Sequence, residues 1–185
     1  MTEDEKRQWD AHAEREGVDL SAGFAGLVLE SVDTLPPGRA LDIATGEGRN
    51  AIFLAERGWE VDAVDISRTM LHRARERATA RSVSVNWILA DVDDYCFRPS
   101  TYDVITVSYF DARHRLSDLK TALAPEGVLC YEHHLLIDDS PDDPGARYRF
   151  ESGELRAACA DLAISRYEED PAQRVVRLVA VHDVA

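Results

Sequence analysis

Lysine is nearly missing: of 21 basic residues only Lys6 and Lys120 are lysines, against 35 acidic ones, for a net charge of −14 over 185 residues. No basic stripe runs along the chain to follow a phosphate backbone, which argues against a nucleic-acid partner. Acidity this strong resembles the surface of a protein from a salt-loving organism, because molar salt shortens the Debye length to about 3 Å and removes most self-repulsion. The competing explanation is an acidic composition with a genomic preference for arginine. No apolar run approaches the roughly 18 residues of a membrane span. The opening MTEDEKRQWD has no hydrophobic stretch of the kind a secretory leader carries. Cys96, Cys130 and Cys159 are few, odd in number and scattered, so neither a disulfide framework nor a zinc site is expected, and no metal. Together these absences predict a cytoplasmic protein without a membrane partner. Repeats and long linkers are missing too, and the length suits one domain over 1–185.

What is present is an alternation of buried strands and amphipathic helices. A helical period from Leu20 to Leu35 ends at Pro36-Pro37-Gly38. Strands are predicted at 39–44, 60–66, 83–90, 102–110 and 127–136. Between them fall helices over Asn50–Arg57, after Ser67 with Met70, Leu71, Ala74 and Ala78 on one face, and through Leu116, Leu119 and Leu123. A helix with Leu155, Ala158, Cys159 and Leu162 precedes strands near 163–168 and 174–182, turned at Asp170-Pro171. Strands apolar on both faces and separated by helices imply an α/β fold: a doubly wound, seven-stranded, mostly parallel sheet with an antiparallel edge hairpin and helices on both faces. Residues 1–35 are expected to cover a pocket, 36–137 to form its core, and 138–185 to supply a loop, helix and hairpin.

The segment LDIATGEGRNA opens a tight turn after the first strand, and Gly46-x-Gly48-x-x-Ala51 fits the dinucleotide fingerprint. Asp42 lies in the first strand, Asp65 ends the second and Asp91 ends the third. A carboxylate at the end of the second strand accepts ribose hydroxyls from any nucleoside cofactor. Asp42 and Glu47 beside the turn would repel a diphosphate and favour a cofactor with positive charge and no phosphate. S-adenosylmethionine has that character.

The run ALDIATGEGRNAIFLAERGWEVDAVDIS, followed by LADVDDY and YDVITVSYF, resembles the class I S-adenosylmethionine-dependent methyltransferases. Within them it is similar to the small tellurite-resistance-type enzymes, through the Gly-Glu-Gly-Arg-Asn-Ala turn and the Arg-Gly-Trp-Glu-Val run. The likeness covers roughly 39–135. The resemblance implies a Rossmann-like methyltransferase fold, with S-adenosylmethionine as cofactor and S-adenosylhomocysteine as product. It implies that the backbone of Ala44–Gly48, including Gly46, passes the methionine moiety and that Asp65 holds the ribose. Ile66 packs on the adenine, Asp91 and Val92 meet its polar edge, and Ser108 and Tyr109 border the amino-acid end. Ala44 stands where the usual pattern has its first glycine, and Ala13 stands where relatives often carry an aromatic in an N-terminal cover. Asp42 is divided between cofactor contact and turn architecture. Asp91 is either an adenine contact or a turn former ahead of Val92-Asp93-Asp94.

Methyl transfer needs chiefly an in-line approach, and proximity supplies up to about 7–11 kcal/mol of it, so no nucleophile motif is obligatory. SYFDARH after the fourth strand differs from the Asn/Asp-Pro-Pro-aromatic motif of amino-group methylation, and no Pro-Cys pair serves attack on cytosine. The acceptor is therefore expected to be small: a thiol, a chalcogen oxyanion or a metabolite. Candidate contacts are Tyr109, Phe110, Arg113, His133, His134, Arg147 and Arg149. His133 and Tyr109 are the candidates for catalysis. Adjacent His133 and His134 face opposite ways on a strand, so one at most enters the site. Arg147 and Arg149 either pair with Asp138, Asp139, Asp142 and Asp143 or form a lid that clamps an anion. A nicotinamide-dependent oxidoreductase and a non-catalytic binding domain remain the rival classes, and a monomer and a homodimer are both compatible with the chain.

Overall fold

The computed structural model describes residues 31–137 and 145–183. Val, Ile, Leu and Ala fill both sides of the central strands, and the chain satisfies their backbone groups by laying them side by side. The strands are β1 (Arg39–Ile43), β2 (Glu60–Asp65), β3 (Asn86–Leu89), β4 (Tyr102–Ser108), β5 (Leu123–His134), β6 (Ala163–Asp170) and β7 (Val175–Val181). They form one seven-stranded sheet in the order β3-β2-β1-β4-β5-β7-β6. The first five are mutually parallel, and β7 runs antiparallel between β5 and β6. The order reverses between β1 and β4, and the crevice beyond their carboxyl ends is where such sheets bind ligands.

Alternation along each strand sorts side chains into two cores. Ala40, Val61, Ala63, Val104, Val128 and Cys130 pack with Ala51 and Leu54 of α1 (Arg49–Ala55) on one face. Leu41, Ile43, Val64, Ile105, Val107, Leu129 and Tyr131 pack on the other. They meet Leu116 and Leu119 of α3 (Leu116–Ala122) and Leu155 of α4 (Glu154–Ala158). Between α1 and α3 in the chain, α2 (Arg68–Ala80) starts at Ser67, whose hydroxyl accepts the Met70 N–H at 3.2 Å. Its buried residues are Met70, Leu71, Ala74 and Ala78, as the periodicity predicts. Among the described residues no helix is long and apolar enough to cross a membrane.

Several boundaries differ from expectation, each for a local reason. The third strand begins at Asn86, not 83, because Val83 N–H closes α2 by donating to Ala78 C=O at 3.0 Å and Ser82 sits at φ 57°. The fourth stops at Ser108 because Tyr109 turns to φ 52°. Leu123 belongs to β5 and not to α3, since Ala124 precedes Pro125 and that position disfavours helix. The tail helix is only Glu154–Ala158; Cys159 and Leu162 are buried by a following turn. The hairpin is as expected, with Asp170 Oδ1 accepting the Ala172 and Gln173 N–H groups at 2.9 and 3.0 Å. The expected helix over 20–35 and the cover over 1–35 lie outside the described residues apart from 31–35, and so does Ala13.

Candidate active site

The turn after β1 is built around a buried carboxylate. Asp42 is 1% exposed. Its Oδ2 accepts Thr45 Oγ1–H and, at 3.2 Å, the Ala51 N–H in the first turn of α1. Its Oδ1 accepts Thr106 Oγ1–H at 2.6 Å from β4 and Asn50 Nδ2–H at 3.5 Å. Burial pushes its carboxyl above the ordinary carboxylate range, against those donors. Of the two roles open to Asp42, the geometry carries the architectural one, because its oxygens are engaged behind the turn. Asn50 also donates to Ser108 Oγ at 2.9 Å, joining the first turn to the end of β4.

The turn itself is left-handed at three places. Ala44 adopts φ 51°, so the residue that replaces the customary glycine keeps the glycine conformation. Gly46 and Gly48 follow at φ 56° and 79°. A Cβ at Gly46 would meet nothing within 4 Å, whereas one at Gly48 would lie 2.6 Å from Trp87 Cη2 and 3.0 Å from Ala74 Cβ. Gly46 therefore opens a surface above the turn, and Gly48 lets α1, α2 and β3 close beneath it. Asp65, 8% exposed at the end of β2, accepts Gly46 N–H at 2.7 Å on Oδ2 and Ser67 N–H at 2.8 Å on Oδ1. One carboxylate thus fixes two turns.

Glu47 requires a correction. It is buried and paired with Arg73, at 3.0 Å, and with Arg77, both on α2. Its charge is matched by two guanidiniums, so it does not repel a diphosphate in the way its place between two glycines suggests. Ile66 is half-buried beside Asp65. Asp91 Oδ1 accepts Asp93 N–H at 2.9 Å, the turn-forming role, and Val92 buries its side chain in the core, which leaves only its main chain for a ligand.

At the ends of β4 and β5, Tyr109 donates its N–H to Glu132 C=O at 2.9 Å and stands 40% exposed. Burial and the adjacent Glu132 carboxylate keep its phenol protonated well above the usual range. The ring lies 4.8 Å from that of His134. The opposite facing of the two histidines holds, and it is His134 that joins Tyr109. His133 is 3% exposed, packs 5.3 Å from the Phe150 ring, and accepts His134 N–H on Nδ1 at 2.7 Å. Burial and the neighbouring His134 pull it down to about 4, which makes it a poor base near neutrality and corrects its candidacy. His134 is held below the ordinary value by burial and Arg149. Phe110 is partly buried against the core, and its C=O accepts Tyr131 Oη–H at 2.7 Å.

Arg113 is also corrected. Its Nε donates to Asp111 at 2.9 Å, its Nη1 to Glu154 at 3.1 Å, and its Nη2 to Arg147 C=O and Arg149 C=O at 3.2 and 3.0 Å. A guanidinium so engaged clamps the chain and has no fork left for an acceptor. Arg147 reaches Tyr148 Oη and stacks on its ring at 4.5 Å, while Arg149 is half-buried near His134. Their expected pairing with Asp138, Asp139, Asp142 and Asp143 lies outside the described residues. Sequence reasoning passed over Asn50, Thr106 and Glu132. A signal was there for two of them, since Thr106 and Glu132 are polar residues set in apolar strands, and all three prove buried. Glu132 Oε2 accepts Arg177 Nε–H from β7 at 2.5 Å. Among the described residues no group of three or more His, Cys, Asp or Glu is placed to hold a metal.

A family model described as a methyltransferase domain matches residues 40–127. The demethylmenaquinone methyltransferase of Thermus thermophilus is 37% identical over 117 residues, 60% of this chain and 51% of that protein. The tRNA 5-carboxymethoxyuridine methyltransferase of Escherichia coli K12 is 35% identical over 110 residues, 54% of this chain and 42% of that one. The chain spans about half the length of the curated relatives it matches. A S-adenosylmethionine-dependent methyltransferase from Aquifex aeolicus superimposes with a TM-score of 0.70 at 18% identity, covering 93% of this chain and 97% of that one. TehB from Haemophilus influenzae does so with a TM-score of 0.75 at 17% identity, covering 94% and 66%. These structural likenesses establish the fold, and the family match lies across the turn, Asp65, Asp91 and Ser108. Residues 40–127 thus match a methyltransferase domain, within a sheet that has the fold of the S-adenosylmethionine-dependent methyltransferases.

Proposed function

We propose that this chain transfers the methyl group of S-adenosylmethionine to a small-molecule acceptor presented near Tyr109 and His134, releasing S-adenosylhomocysteine. The observation that carries the reading is the Gly46 turn. It is open where a Cβ would sit, and it is locked by its N–H to the Asp65 carboxylate at the end of β2. A nucleoside cofactor fits this arrangement, since a carboxylate at the end of β2 is of the chemistry that accepts ribose hydroxyls and Ile66 stands half-buried next to it. The backbone of Ala44–Gly48 and Ser108 would hold the methionine end, with Asp91 and the main chain of Val92 at the adenine edge. When bound, the cofactor supplies an electrophilic methyl carbon on a sulfonium. Tyr109 and His134 would orient the acceptor, and His134, uncharged at neutral pH, is available to take a proton from an acceptor that carries one.

The acceptor class rests on the net charge of −14 and on the missing amino-group and cytosine motifs. The names of the relatives span a quinone, a carrier protein and a tRNA, and so favour no one acceptor. A thiol, a chalcogen oxyanion or a small metabolite is our reading, with the tellurite-resistance-type branch as the finer placement and tRNA as the alternative to be tested. A cytoplasmic, salt-adapted protein acting as one domain over 1–185, alone or as a homodimer, completes the proposal. Calorimetric titration with S-adenosylhomocysteine and with NAD tests the cofactor; binding of NAD alone overturns it. Mass spectrometry after incubation with labelled cofactor and a panel of thiols, oxyanions, metabolites and tRNA tests the acceptor. Methylation of tRNA alone overturns the small-molecule reading.

A further inference from the structure

Between β4 and α3 the chain makes a single 3₁₀ turn, Arg113–Arg115, whose three side chains reach two different loops. Arg115 is 13% exposed. Its Nη1 donates to the carbonyls of Val92 and Asp93, its Nη2 to Tyr95 C=O at 2.8 Å, and its Nε to Asp118 at 2.8 Å. The guanidinium also lies 4.9 Å over the Phe97 ring. His114 Nε2 meets Asp93 Oδ1 at 2.6 Å from the same side. Arg113 points the other way, to the carbonyls of Arg147 and Arg149 and over the Phe150 ring at 4.6 Å.

Residues 92–97 belong to neither helix nor strand, so no ladder of their own satisfies their carbonyls. Arg115 takes the place of that ladder with one planar group. A lysine ammonium, compact and single-pointed, cannot span three carbonyls and a carboxylate at once. Arg113 does the same for the carbonyls of Arg147 and Arg149.

We infer that the 113–115 turn is a positioning device for both walls of the site. Arg115 sets the wall that carries Asp91 and Val92, and Arg113 sets the wall that carries Arg147 and Arg149. What each wall touches rests on the proposed function; that the turn fixes them does not. Neither arginine needs to touch a ligand. The position of the adenine-side loop is then decided from β4, on the far side of the switch point from β2.

The test combines amide hydrogen exchange of the ligand-free chain with calorimetric titration by S-adenosylhomocysteine and by adenosine, on Arg115→Ala, Arg115→Lys, His114→Ala and Arg113→Ala. Arg115→Ala is expected to speed exchange in 92–97 selectively and to weaken both ligands by roughly tenfold or more. Arg115→Lys should rescue little of this, and His114→Ala should give a smaller change of the same sign should Arg115→Ala prove unfoldable. Arg113→Ala should speed exchange in 146–150 and leave adenosine affinity unchanged. Exchange that rises evenly over the whole sheet, or adenosine affinity unaltered in a folded Arg115→Ala, overturns the inference. A wild-type chain that binds neither ligand defeats the proposed function, while the exchange pattern still decides this one.

Discussion

Asp65 ties two turns with one carboxylate and is also the proposed ribose acceptor. Asp65→Ala removes charge-assisted bonds of the kind that contribute about 1.5–3 kcal/mol each, so affinity for S-adenosylhomocysteine should fall at least roughly tenfold. Because the same carboxylate ties Gly46 and Ser67, the melting temperature should fall as well, although Ser67 remains to cap α2. Unchanged affinity would remove Asp65 from the cofactor site. His133 makes a prediction in pH. Its folded pKa of about 4 lies below the ordinary value of 6.5, so the unfolded chain takes up a proton that the folded chain refuses. Stability from this group is complete above 6.5 and drains away as pH falls toward 4, by up to about 3 kcal/mol. His133→Asn keeps an acceptor for His134 N–H and does not titrate. Urea titrations at pH 7 and 4.5 should show a smaller loss in the variant, and equal losses would show that His133 is not buried neutral. The residue positions legible in the sequence were those at strand ends, such as Asp65, which closes β2. Glu47 was misjudged because its partners, Arg73 and Arg77, lie a whole strand away on α2, and Arg113 because its partners are backbone carbonyls, which no pattern displays.

At the scale of elements, the turn after β1 separates two glycines of one motif. Gly46→Ala puts a Cβ at φ 56° into open space, a backbone strain of about 1–2 kcal/mol, and should leave a folded chain that has lost cofactor affinity. Gly48→Ala adds the same strain and a 2.6 Å contact with Trp87, overpacking that costs about 1–3 kcal/mol more, and should lower the melting temperature well beyond Gly46→Ala. Thermal melts with and without S-adenosylhomocysteine read both effects; two variants equal in stability would refute the division of roles. The strands β1, β2, β4 and β7 were legible because burial on both faces leaves short runs rich in Val, Ile, Leu and Ala, broken only by single polar residues. The ends were not. The start of β5 is set by Pro125 and a register shift against β4, and the shortness of α4 by a turn that buries Cys159 and Leu162 without helix. Apolar spacing reports which residues are buried, and it reads helix wherever a turn achieves the same burial.

For the molecule as a whole, charge is the governing quantity. Arginines 73 and 77 are committed to Glu47, Arg115 to loop carbonyls and Asp118, and Arg177 to Glu132, which leaves an acidic excess over the surface. Exposed pairs weaken with salt and contribute about 0–1 kcal/mol each, so screening of the net −14 should dominate. The melting temperature is expected to rise from dilute buffer to molar KCl and to keep rising above about 0.15 M, where the Debye length is already near 8 Å. That upper part reflects stronger apolar burial in concentrated salt. A flat or falling series of melting curves over that range would make the acidity compositional and not adaptive.

The antiparallel insertion of β7 between β5 and β6 also fixes a schedule for biosynthesis. Translation delivers residues in chain order at about 5–20 per second, and β6 emerges before β7. Yet among the described residues β6 is hydrogen-bonded into the sheet through β7 alone, and until Val175–Val181 arrives the outer hydrogen-bonding edge of β5 is bare. A nascent chain paused before residue 175 would thus present two unpaired strand edges at once. That interval is when a chaperone is most useful to it and when two neighbouring nascent chains could most readily exchange their strands.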